Sequence, residues 1–486
     1  MEARHGNATG DVSCGEPKRI VMLPFLARGH LIHFVALAEL LAARTPFAIT
    51  LVSTPKNAQM MRSILDTATA AAITVVELPF CSTDHGLPDG VESSDAVPPA
   101  LTLHVFHASE SLQPAFERLI SEGPSPVCVI GDIFTGWTIG VAEKLGVKHV
   151  TFLKSSAFGD LAAGTMWHHL PHRKTDSNEF ELPGLPGLKL QRSQLTAALK
   201  AADGTDPFSA FVRKNVLTSL RSKIMICDTV EELEPKGIQQ LRDASVGSVV
   251  FAMGPIMRRP SLAHWGRDFG ITPERCSEWL DLHEPRAVLF VCFSAHNKVS
   301  AWQMKELALG LEASGHVFIW AVTPSRENAG AVEFSSESLP EGFEARVSGR
   351  KQGLVVRGWV PQHTILSHPA TGAFLNHCGW HSVLESLRQG VPIIGWPMGA
   401  DQFYISKELE EELGVGLELT RGQEAGVGRE VVARVVGEVM GGKKGEELRK
   451  RAATASEALR TAAEDGGSSL RAVEEFAKTL VEGMAC

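Results

Sequence analysis

The chain has 486 residues, which is too long for one ordinary hydrophobic core, so the sequence predicts two domains. Its 47 basic and 56 acidic residues give a net charge of −9, which argues against nucleic acid or an anionic membrane as a partner. No apolar span is long enough for an integral membrane segment, and the polar opening 1–18 lacks a signal-peptide core. Eight scattered cysteines without a C-x-x-C pair suit reduced thiols, so we expect a cytoplasmic protein.

The first predicted elements have the order of a parallel α/β sheet. Residues 1–17 are polar and contain glycine, so we predict a disordered N-terminus. Ile20–Phe25 is an apolar run typical of a buried strand, and 49–53 is the next such run. The apolar residues between them are spaced as on one face of a helix: Phe34, Leu37, Ala38 and Leu41. This pattern indicates the opening of a doubly wound sheet.

The same order begins again in the second half of the chain. Residues 288–293 form a predicted strand, a loop follows at 294–300, and Gly315 is expected to end the next helix. Two such openings predict two Rossmann-like domains that face one another. We place the N-terminal domain at 18–250, a Pro/Arg-rich linker at 251–268, and the C-terminal domain at 269–464.

The stretch 359–402 has the layout of a nucleotide site. A short strand at 373–375 leads into a polar turn and then into a helix that stops at Gly390. Helix N-termini favour phosphate through their unpaired amides and dipole. The N-terminus of the predicted helix that stops at Gly390 has four hydrogen-bond donors that suit an anion: His377, the amide of Gly379, His381 and Ser382. Glu385 lies on the same helix face as Ser382, within reach of sugar hydroxyls beside a bound phosphate.

Two residues before this turn suit a nucleotide base. Trp359 offers a flat face for stacking, and Gln362 follows three residues later to bind the base edge. Each residue alone has a plainer interpretation. A lone Trp359 is more often a core residue, Glu385 a first-turn carboxylate favoured by the helix dipole, and His377 a hydrogen-bonded structural histidine. The functional interpretation therefore depends on the whole ordered set.

That set closely resembles the signature box of the plant family-1 UDP-dependent glycosyltransferases. The family pattern W-x-P-Q … H-C-G-W-N-S … E-S … G-V-P … W-P … D-Q matches at nearly every diagnostic place. The resemblance implies an α/β fold of the GT-B type, with two facing Rossmann-like domains, parallel sheets and an interdomain cleft. It also implies that the helix in 465–486 returns to the N-terminal domain. UDP-glucose would be the donor co-substrate, with no tightly bound cofactor, no metal and a monomeric protein.

The resemblance assigns roles in transfer of glucose to a hydroxyl group. His30, after the first strand, matches the histidine of the family's G-H motif and would be the general base. Asp132, in V-I-G-D-I-F, matches the aspartate that would orient this imidazole and stabilise its cation. His377 and Ser382 would hold the diphosphate. The remaining donor-binding residues implied by the box are Val360, Trp380, Asp401 and Gln402.

Three positions depart from the family pattern. His33 stands where proline is common, and His381 replaces the usual asparagine of H-C-G-W-N-S. Ser294-Ala295 replaces a Gly-Ser pair whose serine usually touches phosphate, so that hydroxyl is missing unless Ser294 supplies it. These departures leave an alternative open, in which the chain is a catalytically weakened UDP-sugar-binding protein with a sensing or scaffold role.

The acceptor pocket is expected in the N-terminal domain, where loops at strand ends vary freely. Its candidate residues are Phe25, Phe80, Trp137, Phe158 and Met166. The loop 82–99 is a candidate lid. Aromatic and methionine side chains suit a small lipophilic acceptor, such as a flavonoid or another phenolic, or a terpenoid alcohol.

Two other functions receive little support. The turn after the first strand has no G-x-G-x-x-G, which argues against a dinucleotide-dependent dehydrogenase. His168, His169 and His172 are the best-looking candidate metal ligands, but they lie in a polar stretch without acidic partners. We interpret that group as solvated surface.

Overall fold

The structure is a computed structural model that describes residues 18–185, 187–257, 270–293, 299–322, 339–422 and 426–482. The predicted disordered segment 1–17 and the part of the predicted linker from 258 onward lie outside the described residues.

The elements of the first half are β1 (Arg19–Leu23), α1 (Arg28–Arg44), β2 (Ala48–Ser53), α2 (Pro55–Ile64), β3 (Ile73–Glu77), α3 (Thr102–Glu110), α4 (Gln113–Ser121), β4 (Cys128–Asp132), α5 (Trp137–Lys144), β5 (Lys148–Leu153), α6 (Ala157–His169), β6 (Glu179–Glu181), β7 (Lys189–Gln191), α7 (Ala197–Ala201), α8 (Pro207–Ser219), β8 (Ile224–Cys227), α9 (Pro235–Ala244) and β9 (Val249–Ala252).

The elements of the second half are α10 (Pro273–Leu280), β10 (Val288–Cys292), α11 (Ala301–Ser314), β11 (Val317–Val322), α12 (Phe343–Gly349), β12 (Gly353–Arg357), α13 (Gln362–Ser367), β13 (Thr371–Asn376), α14 (Trp380–Arg388), β14 (Ile393–Gly395), α15 (Gln402–Glu411), β15 (Gly416–Glu418), α16 (Arg429–Met440), α17 (Gly442–Ala462) and α18 (Ser468–Val481).

Two parallel sheets organise these elements. The first has the strand order β3-β2-β1-β4-β5-β8-β9, and the second has the order β12-β11-β10-β13-β14-β15. Their central strands are short apolar runs buried on both faces, as expected where helices cover both sides of a parallel sheet. The strand order reverses between β1 and β4, and again between β10 and β13. Ligands in open α/β sheets bind at the carboxyl ends of strands at such switch points.

The predicted helical spacing in the first half is confirmed. Phe34, Leu37, Ala38 and Leu41 all lie on the buried side of α1 and have no exposed surface. In the second half, Gly315 ends α11 with a backbone φ of 73°, a left-handed conformation that glycine adopts without a steric penalty.

The last helix lies on the first sheet. Val473, Phe476 and Leu480 of α18 are fully buried in the core that contains β1 and α1. Burying a side chain such as Phe476 contributes about 1.5–3 kcal/mol. Lys148, at the start of β5, donates hydrogen bonds to the carbonyls of Thr479 and Leu480 at the end of α18. The chain end thus holds the second half against the first.

Candidate active site

A histidine and an aspartate meet at the switch point of the first sheet. Because β1 and β4 are parallel neighbours, with Leu23 opposite Gly131, their carboxyl ends lie at the same edge. Asp132 is the last residue of β4, and His30 lies in the first turn of α1, which follows β1. The Nδ1 atom of His30 lies 2.6 Å from Oδ2 of Asp132.

Both side chains are held firmly. The side chain of Asp132 is 1% exposed, and its Oδ1 accepts a hydrogen bond of 3.0 Å from the backbone amide of Phe134. The hydroxyl of Thr135 accepts a hydrogen bond of 2.8 Å from the backbone amide of Asp132. It does not donate to the Asp132 carboxylate or to His30. The His30 side chain is 12% exposed. Because Nδ1 is taken by the carboxylate, Nε2 is the ring atom left for a substrate.

The surroundings set the charge of this pair. Burial lowers the pKa of His30, the charge of Asp132 opposes this, and the charge of Lys154 lowers it further. Burial acts to raise the pKa of Asp132, but His30 and the amide of Phe134 outweigh burial, so the pKa of this carboxyl lies below its ordinary value. At neutral pH the pair is therefore a neutral imidazole beside an ionised carboxylate, which is the state of a competent general base.

Aromatic rings surround the imidazole. The His30 ring centroid lies 5.5 Å from that of Phe25 and 5.6 Å from that of Phe134. Phe25 also packs against Phe106 at 4.7 Å. Further members of this cluster, which we call the aromatic wall, come from α6 and α8: Trp167, Phe208 and Phe211. Of these residues, the sequence identified only Phe25 as a pocket candidate. Phe134 could have been found as well, because it follows Asp132 by two residues.

The other predicted acceptor residues lie elsewhere. Trp137 packs in the core at the start of α5, edge-on to Phe116. Phe158 and Met166 are buried in a cluster between the two halves that includes Phe403. Phe80 is half-buried and stacks on His85 at 5.3 Å. Trp137, Phe158 and Met166 are packed as core residues in this structure, so their assignment to the acceptor pocket stays a prediction.

The predicted lid loop 82–99 is tied to the turn before His30. The amide of Ser94 donates to the carbonyl of Leu26 at 2.9 Å, and the amide of Arg28 donates to the carboxylate of Asp95. The loop therefore packs against the β1–α1 turn and helps to fix the first turn of α1.

The second switch point lies after β10 and β13. Cys378 follows β13 with a left-handed φ of 62°, and Gly379 then begins α14. A Cβ atom on Gly379 would lie 2.6 Å from Nε2 of His377, so only glycine allows this imidazole to lie over the turn. Ser382, in the first turn of α14, is half-buried. Gly379 provides no side-chain cap, and a helix start leaves unpaired amides, so this turn remains the candidate anion site.

Gln362, predicted to bind the base edge, lies close to Glu385, predicted to bind the ribose. Nε2 of Gln362, the first residue of α13, donates to Oε2 of Glu385 on α14. Trp359 is half-buried just before α13, and its carbonyl accepts from Gly270 at 2.8 Å. The side chain of Val360 is buried, so any donor contact falls to its backbone.

The residues predicted to contact the donor sugar differ in how their side chains are placed. The Trp380 indole is buried and donates to the carbonyl of Asp228 at 2.6 Å, so any donor contact falls to its backbone amide. Oε1 of Gln402 accepts from the amides of Met398 and Gly399, which leaves its NH₂ group for a ligand. Asp401 is half-buried immediately before α15. Ser294 lies outside the described residues.

Two charged residues near these sites were not identified as candidates from the sequence. Lys154, directly after β5, is half-buried, and its charge acts on both His30 and Asp132. Burial raises the pKa of Asp160 to about 8, and the charge of Asp401 from the other half of the molecule acts in the same direction. Neither residue matches a motif, so only their placement in space identifies them.

The group of His168, His169 and His172, at the end of α6 and just after it, is not all solvated surface. His168 is exposed, but His172 is only 2% exposed and lies near Phe180. Within the described ranges, no group of three or more His, Cys, Asp or Glu side chains has a geometry that could hold a metal ion. In the same ranges, no helix is both long and apolar enough to cross a membrane.

Two Rossmann-like halves, with a buried His–Asp pair at the switch point of the first sheet and a helix start at the switch point of the second, have the architecture of the GT-B type. The family of UDP-glucoronosyl and UDP-glucosyl transferases matches residues 287–426. UDP-glycosyltransferase 92A1 of Arabidopsis thaliana is 38% identical over 474 residues, which cover 94% of this chain and 96% of that relative. The chain belongs to the plant UDP-glycosyltransferases and is a glycosyltransferase enzyme.

Two further comparisons agree. Crocetin glucosyltransferase 3 of Crocus sativus is 39% identical over 439 residues, which cover 86% of this chain and 90% of that relative. The structure of Phytolacca americana UGT2 complexed with UDP-2fluoro-glucose and pterostilbene has a TM-score of 0.78 at 28% identity, and the match covers 96% of this chain and 100% of that one. The predicted GT-B fold is confirmed.

Proposed function

We propose that this enzyme transfers glucose from UDP-glucose, with inversion, to a hydroxyl group of a small lipophilic acceptor. The observation that carries the proposal is the buried His30–Asp132 pair beside the aromatic wall. A neutral base surrounded by aromatic rings suits deprotonation of a hydroxyl on a flat apolar molecule.

In the proposed reaction, Nε2 of His30 takes the hydroxyl proton while the acceptor oxygen attacks the anomeric carbon. Asp132 stabilises the imidazolium that forms. UDP leaves from the opposite face of the sugar, and a single displacement of this kind inverts the anomeric centre. His377, the start of α14 and Ser382 hold the diphosphate and stabilise its developing charge.

Support for the substrates comes from the relatives. One is a crocetin glucosyltransferase, and one solved structure holds UDP-2fluoro-glucose together with pterostilbene. We propose a phenolic such as a flavonoid, or a terpenoid, as the acceptor. We also propose that 18–250 binds the acceptor, that 269–464 binds the UDP-sugar, and that the enzyme is a cytoplasmic monomer.

The function is tested by measuring UDP release from UDP-glucose with a pooled panel of phenolic and terpenoid alcohols. We expect release that depends on the acceptor. The alternative is a UDP-sugar-binding protein with a sensing or scaffold role, motivated by His381 and Ala295. Binding of UDP-glucose without stimulated release across the panel would favour this alternative and contradict the proposed function.

The donor site is tested by Trp359→Ala. Base stacking contributes about 1–3 kcal/mol per base, so we expect UDP affinity to fall about tenfold or more. Glu385→Ala should also weaken UDP, because the ribose is common to UDP and UDP-glucose. Calorimetry with UDP checks both variants, and Trp302→Ala is a matched control because this indole is 54% exposed on α11. Unchanged UDP affinity in Trp359→Ala would remove its role as a base platform.

A further inference from the structure

Two histidines from opposite halves of the molecule meet at the start of α14. His33 lies one turn beyond His30 in α1, and His381 lies in the first turn of α14. Their ring centroids are 5.0 Å apart, and the rings are nearly perpendicular, at 77°. The imidazole of His33 therefore brings a titratable group of the first half to the helix end that is proposed to hold the diphosphate.

Each of these rings has a buried nitrogen without a hydrogen-bond partner. Nδ1 of His33 donates to the carbonyl of Gly29. The residue is only 9% exposed, and its Nε2 is buried without a hydrogen-bond partner. Nδ1 of His381 is likewise buried without a partner, and its Nε2 lies 3.7 Å from Oε1 of Glu385. Buried polar atoms are nearly always paired, so two orphaned nitrogens in contacting rings point to a ligand between or beside them.

The bonding pattern sets the condition under which an anion could bind His33. Because a carbonyl oxygen only accepts, Nδ1 of His33 carries the hydrogen, and in the neutral ring Nε2 is then a bare acceptor. An anionic oxygen can bind Nε2 only if His33 gains a proton. Metal coordination is not supported, since no suitable group of three ligands occurs among the residues that the structure describes.

The charges around His33 keep it neutral without a ligand. Burial holds its pKa well below the ordinary value, and the groups that face it act in the same direction: His381 from α14, Lys154 after β5, and His30 from its own helix. The bond to the Gly29 carbonyl acts in the opposite direction and raises the pKa of His33. Glu385 is the acidic group beside His381. A diphosphate would add a close negative charge, which favours the protonated form of His33.

We propose that His33 and His381 together bind the diphosphate of the nucleoside diphosphate donor, so that the first half of the molecule contacts the donor directly. This inference rests on the proposed function and adds His33 as a donor-binding residue. Donor binding takes up a proton, so the affinity for UDP falls as the pH rises. The sign follows because the complex holds more protons than the free protein.

The test compares UDP with uridine, which lacks the diphosphate, in calorimetric titrations from pH 6 to pH 9. We expect His33→Phe, which keeps a ring of similar shape, to lose about tenfold in UDP affinity and nothing in uridine affinity. His33→Gln keeps a neutral donor, so it should bind UDP with a flatter pH profile. His172→Phe is a matched control, because His172 is also buried, in the same half of the molecule. The binding enthalpy of the wild type, measured in buffers of different ionisation enthalpy, should show that UDP binding takes up protons.

The outcomes separate the two proposals. A wild-type protein that does not bind UDP at all would overturn the proposed function itself. Wild-type UDP binding with equal losses of UDP and uridine affinity in His33→Phe, or with no loss of either, would overturn the diphosphate role of His33. Identical pH profiles for wild type, His33→Gln and His381→Asn would overturn the proton uptake.

Discussion

His30→Ala is expected to lower the turnover number about 10²-fold or more, the contribution typical of a positioned general base. Nε2 is the ring nitrogen left for the acceptor, because Nδ1 is bonded to Asp132. The base acts on the acceptor alone, so UDP affinity should stay nearly unchanged. Turnover is measured as glycoside formed from UDP-glucose, and UDP affinity is measured by calorimetry.

His168→Ala is a suitable control for this variant, because His168 is exposed on α6 and has no role in the proposed reaction. If His30→Ala retains more than about a tenth of the wild-type rate, another group acts as the base. If it also loses UDP affinity, His30 has a structural or donor-binding role that the proposed reaction does not contain.

Asp132→Asn is expected to produce the second large effect, again about 10²-fold or more in turnover. Asparagine has the same shape, and its oxygen can still accept from the amide of Phe134, so the turn should persist. The charge that stabilises the imidazolium is lost. The His30 tautomer is also no longer fixed, because an amide can either donate to or accept from Nδ1.

The pH profile distinguishes this role from a purely structural one. Protonated His30 cannot act as a base, so the wild-type rate should fall as the pH drops through the pKa of His30. The Asp132 carboxylate raises that pKa against the effect of burial. Its removal should move the acidic limb of the profile to lower pH. An acidic limb at an unchanged pH would mean that Asp132 does not act through the charge on His30.

The proximity of His30 and Asp132 could be predicted because its signals are local, whereas their catalytic roles remain a prediction from the family resemblance. His30 and Asp132 each follow an apolar strand-like run, and adjacent parallel strands bring such ends together. The aromatic wall could not be predicted in this way. Phe106 and Phe208 come from α3 and α8, whose placement around Phe25 depends on packing rather than on spacing along the chain.

Two further features depend on placement in space and could not be derived from the local sequence. Trp137 and Met166 have the composition of a pocket wall, but hydrophobicity does not distinguish a wall from a core. His33 and His381 stood out from the sequence as separate departures from a family pattern. Their contact depends on how two domains are placed relative to each other, and nothing in the local sequence encodes that distance.

The most direct test of the account is the anomeric configuration of the sugar in the product. UDP-glucose carries an α linkage, so a single displacement by an acceptor activated by His30 predicts a β-linked glucoside. Proton NMR of the isolated product should show the large H1–H2 coupling of that isomer. The same reaction with His30→Ala should yield almost none of it. An α-linked product, or release of UDP without any glycoside, would contradict the account.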